Sequence, residues 1–149
     1  MSKSNTWESD LLLLVFNNTA TAGIGDTSGL QPSGAAGSLY VSLHTADPGE
    51  TGDQTTSEIA YTTYARVAVA RSGAGWTKSA TAPTQVANAA AITFGACTVG
   101  TPTATYFGVG TLGTTAGKLL YSGQLTAPLA ISPGITPSFA IGALVVTED

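Results

Sequence analysis

This sequence predicts an all-β, single-domain fold of the β-sandwich or jelly-roll kind, with a short N-terminal helix and a glycine-rich arm. Three observations carry that expectation. Apolar residues alternate with period two in short runs from residue 39 onward, and Gly and Pro separate those runs at close intervals. A chain of 149 residues suffices for one core but would be cramped for two. The expected organisation is helix plus arm over 1–38 and a β-sandwich domain over 39–149.

The helix is read from "NTWESDLLLLVFNN". Asn5 suits the N-cap, with Glu8 at the third helical position reaching back to it and Asp10 favouring the positive end of the helix dipole. Trp7, Leu11, Leu14 and Val15 then share one face, and Asn17 and Asn18 supply a stop, so the spacing predicts a helix over 6–17. That apolar face is the candidate assembly surface. A membrane-surface helix would need Lys or Arg on its polar face, and none is there. Residues 19–38, "TATAGIGDTSGLQPSGAAGS", are too rich in glycine to hold regular structure alone.

Strands follow. "LYVSLH" places Leu39, Val41 and Leu43 opposite Tyr40, Ser42 and His44, and "YARVAVAR" places Ala65, Val67 and Val69 opposite Arg66, Ala68 and Ala70. "GWTK", "VANAAAITF", "TATYFGV", "KLLYSGQL", "LAIS" and "SFAIGALVVT" complete seven or eight short strands. The separators are Gly73 to Gly75, Pro83, Gly100 to Pro102, Gly113, Gly117, Pro128, and Pro133 with Gly134.

Charge is scarce and unevenly placed. Charged residues make up 9% of the chain, against about 25% in an ordinary soluble domain. Between Arg71 and Glu148 only Lys78 and Lys118 are charged, which points to a surface that faces other protein. With net charge −4 and no cluster of Lys or Arg, the sequence carries no electrostatic footprint for nucleic acid. The apolar run Leu11 to Phe16 is far short of the roughly 20 residues a membrane span needs, and acids directly precede it, so neither a span nor a secretion signal is expected. Cys97, the single cysteine, reads as a small buried residue of a protein made in a reducing compartment.

Chemistry-bearing residues gather in "SLHTADPGETGDQTTSEIAYTTYARVAVAR", residues 42–71. It holds the only histidine, His44, four acids (Asp47, Glu50, Asp53 and Glu58), and Arg66 and Arg71. The acids lack the alternate spacing of a calcium loop, no G-x-S-x-G elbow exists, and a triad would have to rest on His44 alone. Gly108, Gly110 and Gly113 form a G-x-G-x-x-G, but a strand pattern follows where a dinucleotide fold needs a helix. "GTTAGKL" has the wrong spacing for a phosphate loop and Leu119 where Ser or Thr is required. No catalytic, metal or cofactor site is therefore expected. The segment reads as strand exit, a turn at "ADPG" and a polar return, with its acids and Arg66 and Arg71 meeting as exposed ion pairs. His44, Asp47, Glu50, Asp53, Glu58, Arg66 and Arg71 form the candidate partner-docking loop, where charge sets orientation and partner choice. A rival use is glycan binding on Tyr61, Tyr64, Trp76 or Tyr106.

"SLYVSLHTADPGETGDQTTSEIAYTTYARVAVARSGAGW", with "NAAAITFGAC", "FGVGT", "LLYSGQLTAPLAIS" and "ALVVTED", resembles a family of small tailed-bacteriophage virion proteins of tail-fibre-like or head-decoration type. The resemblance extends to the "NTWESDLLLLVFNNTA" start and so spans nearly the whole chain. It implies a β-built structural component of the phage particle, present in many copies and made in the host bacterial cytoplasm. Compactness and the absence of repeats favour a capsid decoration (cement) protein that self-associates as a trimer or dimer and bridges major capsid subunits. The alternative is a tail component, as a fibre-like, adaptor or tube subunit, that contacts another virion protein or a receptor glycan.

Overall fold

The computed structural model describes residues 2–79 and 84–148. One helix, α1 (Asn5–Asn17), precedes nine strands: β1 (Ser38–His44), β2 (Val67–Ala70), β3 (Trp76–Lys78), β4 (Gln85–Asn88), β5 (Ile92–Thr93), β6 (Thr103–Gly110), β7 (Leu119–Ala130), β8 (Ser138–Phe139) and β9 (Val145–Thr147). The fold is thus all-β, in antiparallel sheets, with a short N-terminal helix. Contacts divide the chain into two compact units, one of 1–38, 70–91 and 139–149, the other of 39–69 and 92–138.

In the first unit, α1 starts one residue earlier than its pattern indicates. Ser4, not Asn5, is the N-cap, because Ser4 holds the extended conformation (φ −83°, ψ 148°) and its hydroxyl accepts the Trp7 N–H. The buried line is also rotated by one residue, roughly 100°: Glu8, Leu12 and Phe16 are buried, whereas Trp7, Leu11, Leu14 and Val15 are half-buried. Phe16 sets this rotation by standing edge-on to the buried Trp76 ring, 4.8 Å between centroids. Asn18 ends the helix in the left-handed conformation (φ 53°), near the predicted stop.

No basic residue stands in the last turn of α1. Arg71 supplies the missing cation from a distance: its Nε donates to the Val15 carbonyl and its Nη2 to that of Leu14, both at 2.7 Å. The same guanidinium donates through Nη1 to Ser33 Oγ (2.8 Å) and the Ala36 carbonyl (3.2 Å). Asn18 accepts from the Ser33 backbone N–H and donates to its carbonyl. The glycine-rich segment therefore lacks regular strands but is laced to the helix end.

The sheet of this unit has the order β3-β4-β9, antiparallel throughout. "VANAAAITF" does not form one strand, since β4 stops at Asn88. The buried Asn88 carboxamide donates to the Ala90 and Ala140 carbonyls, each at 2.8 Å, and accepts the Leu144 N–H at 2.9 Å. This side chain turns the chain out of the ladder and fixes the segment before β9, which splits "SFAIGALVVT" as well. Pro83, expected as a turn residue, lies outside the described residues.

The second unit is built on a four-stranded sheet of order β2-β1-β6-β7. β1 runs antiparallel to β6, with Val41 opposite Val109 and His44 opposite Tyr106. Val41, Ser42, Leu43 and His44 are consecutive and buried, so β1 is covered on both faces. β7 is antiparallel to β6 with two register irregularities. It runs through Pro128 and fuses two expected strands, "KLLYSGQL" and "LAIS". Proline is tolerated there because β7 is an edge strand, where a missing N–H breaks no further ladder.

Replacing Asn88 by Ala leaves the Leu144 N–H and two carbonyls short of partners in a buried site. The expected cost is about 2–3 kcal/mol, read as a lower urea midpoint at unchanged slope, with Asn88→Asp, which loses both donations, falling similarly.

Candidate functional site

The structure resolves the charged 42–71 segment into a buried clamp and an exposed rim. The chain leaves β1 at His44 and turns at Pro48–Gly49, where the Asp47 carboxylate accepts the Gly49 N–H (2.9 Å) and Gly49 takes φ +69°, a conformation suited to glycine. It then returns to bridge the end of β1: the Thr45 N–H donates to the Ser57 carbonyl (2.8 Å), the Ile59 N–H to that of Leu43 (3.0 Å), and Glu58 pairs with His44.

Glu58 and Arg66 close this return as a two-toothed ion pair, Arg66 Nε on Glu58 Oε1 and Nη2 on Oε2, both 2.7 Å. It is not the exposed pair expected from sequence. The Arg66 side chain is 3% accessible and that of Glu58 16%. Tyr64 donates its hydroxyl to Glu58 Oε1 (2.8 Å) and accepts the Leu43 N–H (3.1 Å), while its ring stacks on Phe94. Arg66 Nη1 donates to the Leu112 and Thr115 carbonyls at 3.0 and 2.8 Å. The bidentate carboxylate raises the Arg66 pKa, and burial raises that of the Tyr64 hydroxyl, so Arg66 stays charged and Tyr64 stays a donor. Ser57 (φ 56°) and Thr115 (φ 64°), both left-handed non-glycine residues, lie at this clamp, where strain of about 1–3 kcal/mol each must be held by surrounding bonds.

His44 is fully buried. Its Nδ1–H donates to the Thr56 carbonyl and its Nε2 accepts the Ser42 hydroxyl, both at 2.8 Å, which defines the neutral tautomer. Burial drives its pKa below 6.5, against the opposing pull of the Thr56 carbonyl and the Glu58 charge. Gln54, also fully buried, donates to the Leu112 carbonyl (3.1 Å) and accepts the Leu112 N–H (2.9 Å). The glycines of the G-x-G-x-x-G make room for these side chains. A Cβ on Gly108 would stand 2.6 Å from His44 Nε2, and one on Gly110 would fall 2.2 Å from the Gln54 carboxamide carbon.

Of the seven candidate loop residues, the structure brings His44, Glu58 and Arg66 together. Asp47 and Glu50 are exposed and border a groove of about 310 Å³ against Leu119–Ser122. Asp53 is half-buried, and the Thr55 hydroxyl on its carboxylate (2.6 Å) holds its pKa below the usual value. Arg71 does not meet these acids at all, being engaged at the end of α1. Gln54 and Tyr64 were missed as members of the clamp, and only the small residues at 108 and 110 hint in the sequence at bulky side chains lying across β6. Among the described residues no three His, Cys, Asp or Glu side chains converge as metal ligands, and no helix is long and apolar enough to cross a membrane. The aromatic candidates divide: Tyr61 and Trp76 are buried, Tyr64 belongs to the clamp and Tyr106 is half-buried.

The polar groups of the 42–71 segment are thus largely spent on holding a loop, on a β-rich body with few charges. The chain belongs to the family described as podophage GP4 fiber I protein gp80, whose model matches residues 2–147. No curated protein matches the sequence. Membership makes the chain a bacteriophage structural protein and a component of the virion. It fits the tail or fibre alternative better than capsid decoration.

Two outcomes test the clamp. Arg66→Ala leaves the half-buried Glu58 carboxylate without its partner and the Leu112 and Thr115 carbonyls without their donor, and should cost about 2–3 kcal/mol, measured by thermal and urea unfolding, whereas Glu58→Gln/Arg66→Met should recover part of the loss. For His44 the folded pKa lies below the unfolded one, so its contribution is complete above 6.5 and is lost as pH falls below that value and the unfolded chain takes the proton first. The wild-type urea midpoint should therefore drop between about pH 7 and 5, and His44→Gln should flatten that drop.

Proposed function

We propose that this protein is a tail component of a podophage, built into or at the base of a fibre, present in many copies and assembled with another virion protein. The family match over residues 2–147 is the observation that carries this reading. In this role the clamp presents the loop as a preformed docking surface. Asp47, Glu50 and Asp53 face the partner and set orientation, and His44, Glu58 and Arg66 hold the loop in the shape the partner meets. The half-buried Trp7, Leu11, Leu14 and Val15 of α1 supply an apolar assembly surface. Synthesis in the host cytoplasm and a non-enzymatic role belong to the same reading.

Capsid decoration, the other role open to a small phage β-protein, makes an opposite prediction. Virions assembled without this protein should keep their DNA through heat and osmotic shock but adsorb poorly to cells, and immunogold should label the tail. Heads that leak on shock while adsorption is normal, with label over the capsid, would sink the fibre assignment.

A further inference from the structure

The turn between β6 and β7, residues 111–118, lies largely exposed, yet buried side chains hold it from inside. The Gln54 carboxamide engages both the N–H and the carbonyl of Leu112, and the Gln54 N–H donates to the Ala116 carbonyl at 3.2 Å. Arg66 adds its donations to the Leu112 and Thr115 carbonyls. At the base, the Thr111 N–H meets the Lys118 carbonyl (3.1 Å) and the Lys118 N–H meets the Thr111 hydroxyl (2.9 Å). A Cβ on Gly117 would strike Gln54 Oε1 and stand 2.9 Å from Leu112 Cβ. Thr115 keeps its left-handed backbone where glycine would serve without strain, and such strain concentrates where a segment is held for use. Within this pinned turn the Leu112 side chain is 47% exposed. A lone exposed leucine on a loose loop is ordinary surface. One whose N–H and carbonyl are both fixed by buried side chains is presented to a partner with its ordering entropy already lost.

We propose that Leu112 is the apolar anchor of the docking surface, received by an apolar socket that lysine or arginine rims on a second, different virion protein. The acids lie beside it in the chain's own geometry. Asp53 directly precedes Gln54, and Asp47 and Glu50 are exposed on the same loop. Glu58 is neutralised by Arg66, and Lys118 is the one exposed base among the described residues. Three carboxylates against one ammonium leave the surface net negative, so the complementary face is net positive. A second copy is a poor occupant, because it carries a net charge of −4 and would set the same carboxylates face to face. Exposed Thr111, Thr114 and Thr115 surround the leucine with polar groups, the arrangement of an apolar centre inside a polar rim. Burial of Leu112 then supplies affinity, while the carboxylates supply orientation and speed of approach.

This inference rests on the reading of the chain as a virion component docked on another protein. Immunogold on the wild type tests the location; variants of the turn and loop test the contact, so the two can fail separately. A phage deleted for this gene is grown in cells supplying the full-length chain in limiting amount, and copies per purified particle are counted by quantitative immunoblot. Leu112→Met should be incorporated like the wild type, whereas Leu112→Ser should fall about tenfold or more. Glu50→Lys should fall in the same direction. The exposed positions leave the fold alone, so all three variants should stay soluble and unfold at the wild-type urea midpoint. Wild-type incorporation of either Leu112→Ser or Glu50→Lys overturns the proposal. So does a purified wild type that sediments as an oligomer which Leu112→Ser dissolves, since the occupant is then a second copy.

Discussion

The bidentate contact between Arg66 and Glu58 is the constraint on which the second unit depends. Arg66 alone would be a costly buried charge, and Glu58 a half-buried one. Together, with Tyr64 and the Leu112 and Thr115 carbonyls completing their hydrogen bonds, they tie two neighbouring segments to a third that is distant in sequence. Those segments are the return loop, the start of β2 and the turn between β6 and β7. A buried ion pair is rarely the most stabilising choice for a site. Its merit is specificity: two planar groups satisfy each other in one arrangement, whereas apolar side chains of similar volume would accept several. That geometry also explains why left-handed Ser57 and Thr115 persist, since the backbone around them is held by bonds on either side.

The first unit solves a similar problem with neutral groups. Asn88 performs for two loops what Arg66 does for the clamp, using a carboxamide whose donors and acceptor are all engaged. Arg71 is the exception, a charge spent on the carbonyls at the end of α1 rather than on an acid. With both arginines committed inward, the exposed charge of the loop rim is acidic.

Much of this architecture was legible in the sequence. The period of two in "LYVSLH" and "TATYFGV" marks β1 and β6, although Val41–His44 are buried in succession because β1 is covered on both faces, and the Asn pair after "LLLLVF" marks the helix end through its tolerance of the left-handed conformation. The N-cap shifted by one residue because Ser4 and Asn5 are both competent and only the backbone angle decides between them. The pattern of β7 reads as two strands because Pro128 looks like a break, and whether it is one depends on edge position, a property of topology and not of local pattern. Of the candidate loop, the polarity was visible but its division was not. Glu58 and Asp53 are equally acidic on paper, and which is swallowed by the fold depends on Arg66 returning from eight residues on and on the carbonyls of a turn about fifty residues beyond it.

The pairing of β1 with β6 bears on how the protein is made. Val41 finds its cross-strand neighbour Val109 only after 68 further residues have been added, and in the other unit β4 waits for β9 at the far end of the chain. Neither sheet can close on the ribosome until most of the polypeptide has emerged, at about 5–20 residues per second. For several seconds the nascent chain therefore exposes β1, a strand destined to be covered on both sides, while only local elements such as the thirteen-residue helix and the β3-β4 pair can form. The chain is thus most exposed to misassociation while it is being translated, before its own fold has hidden that strand.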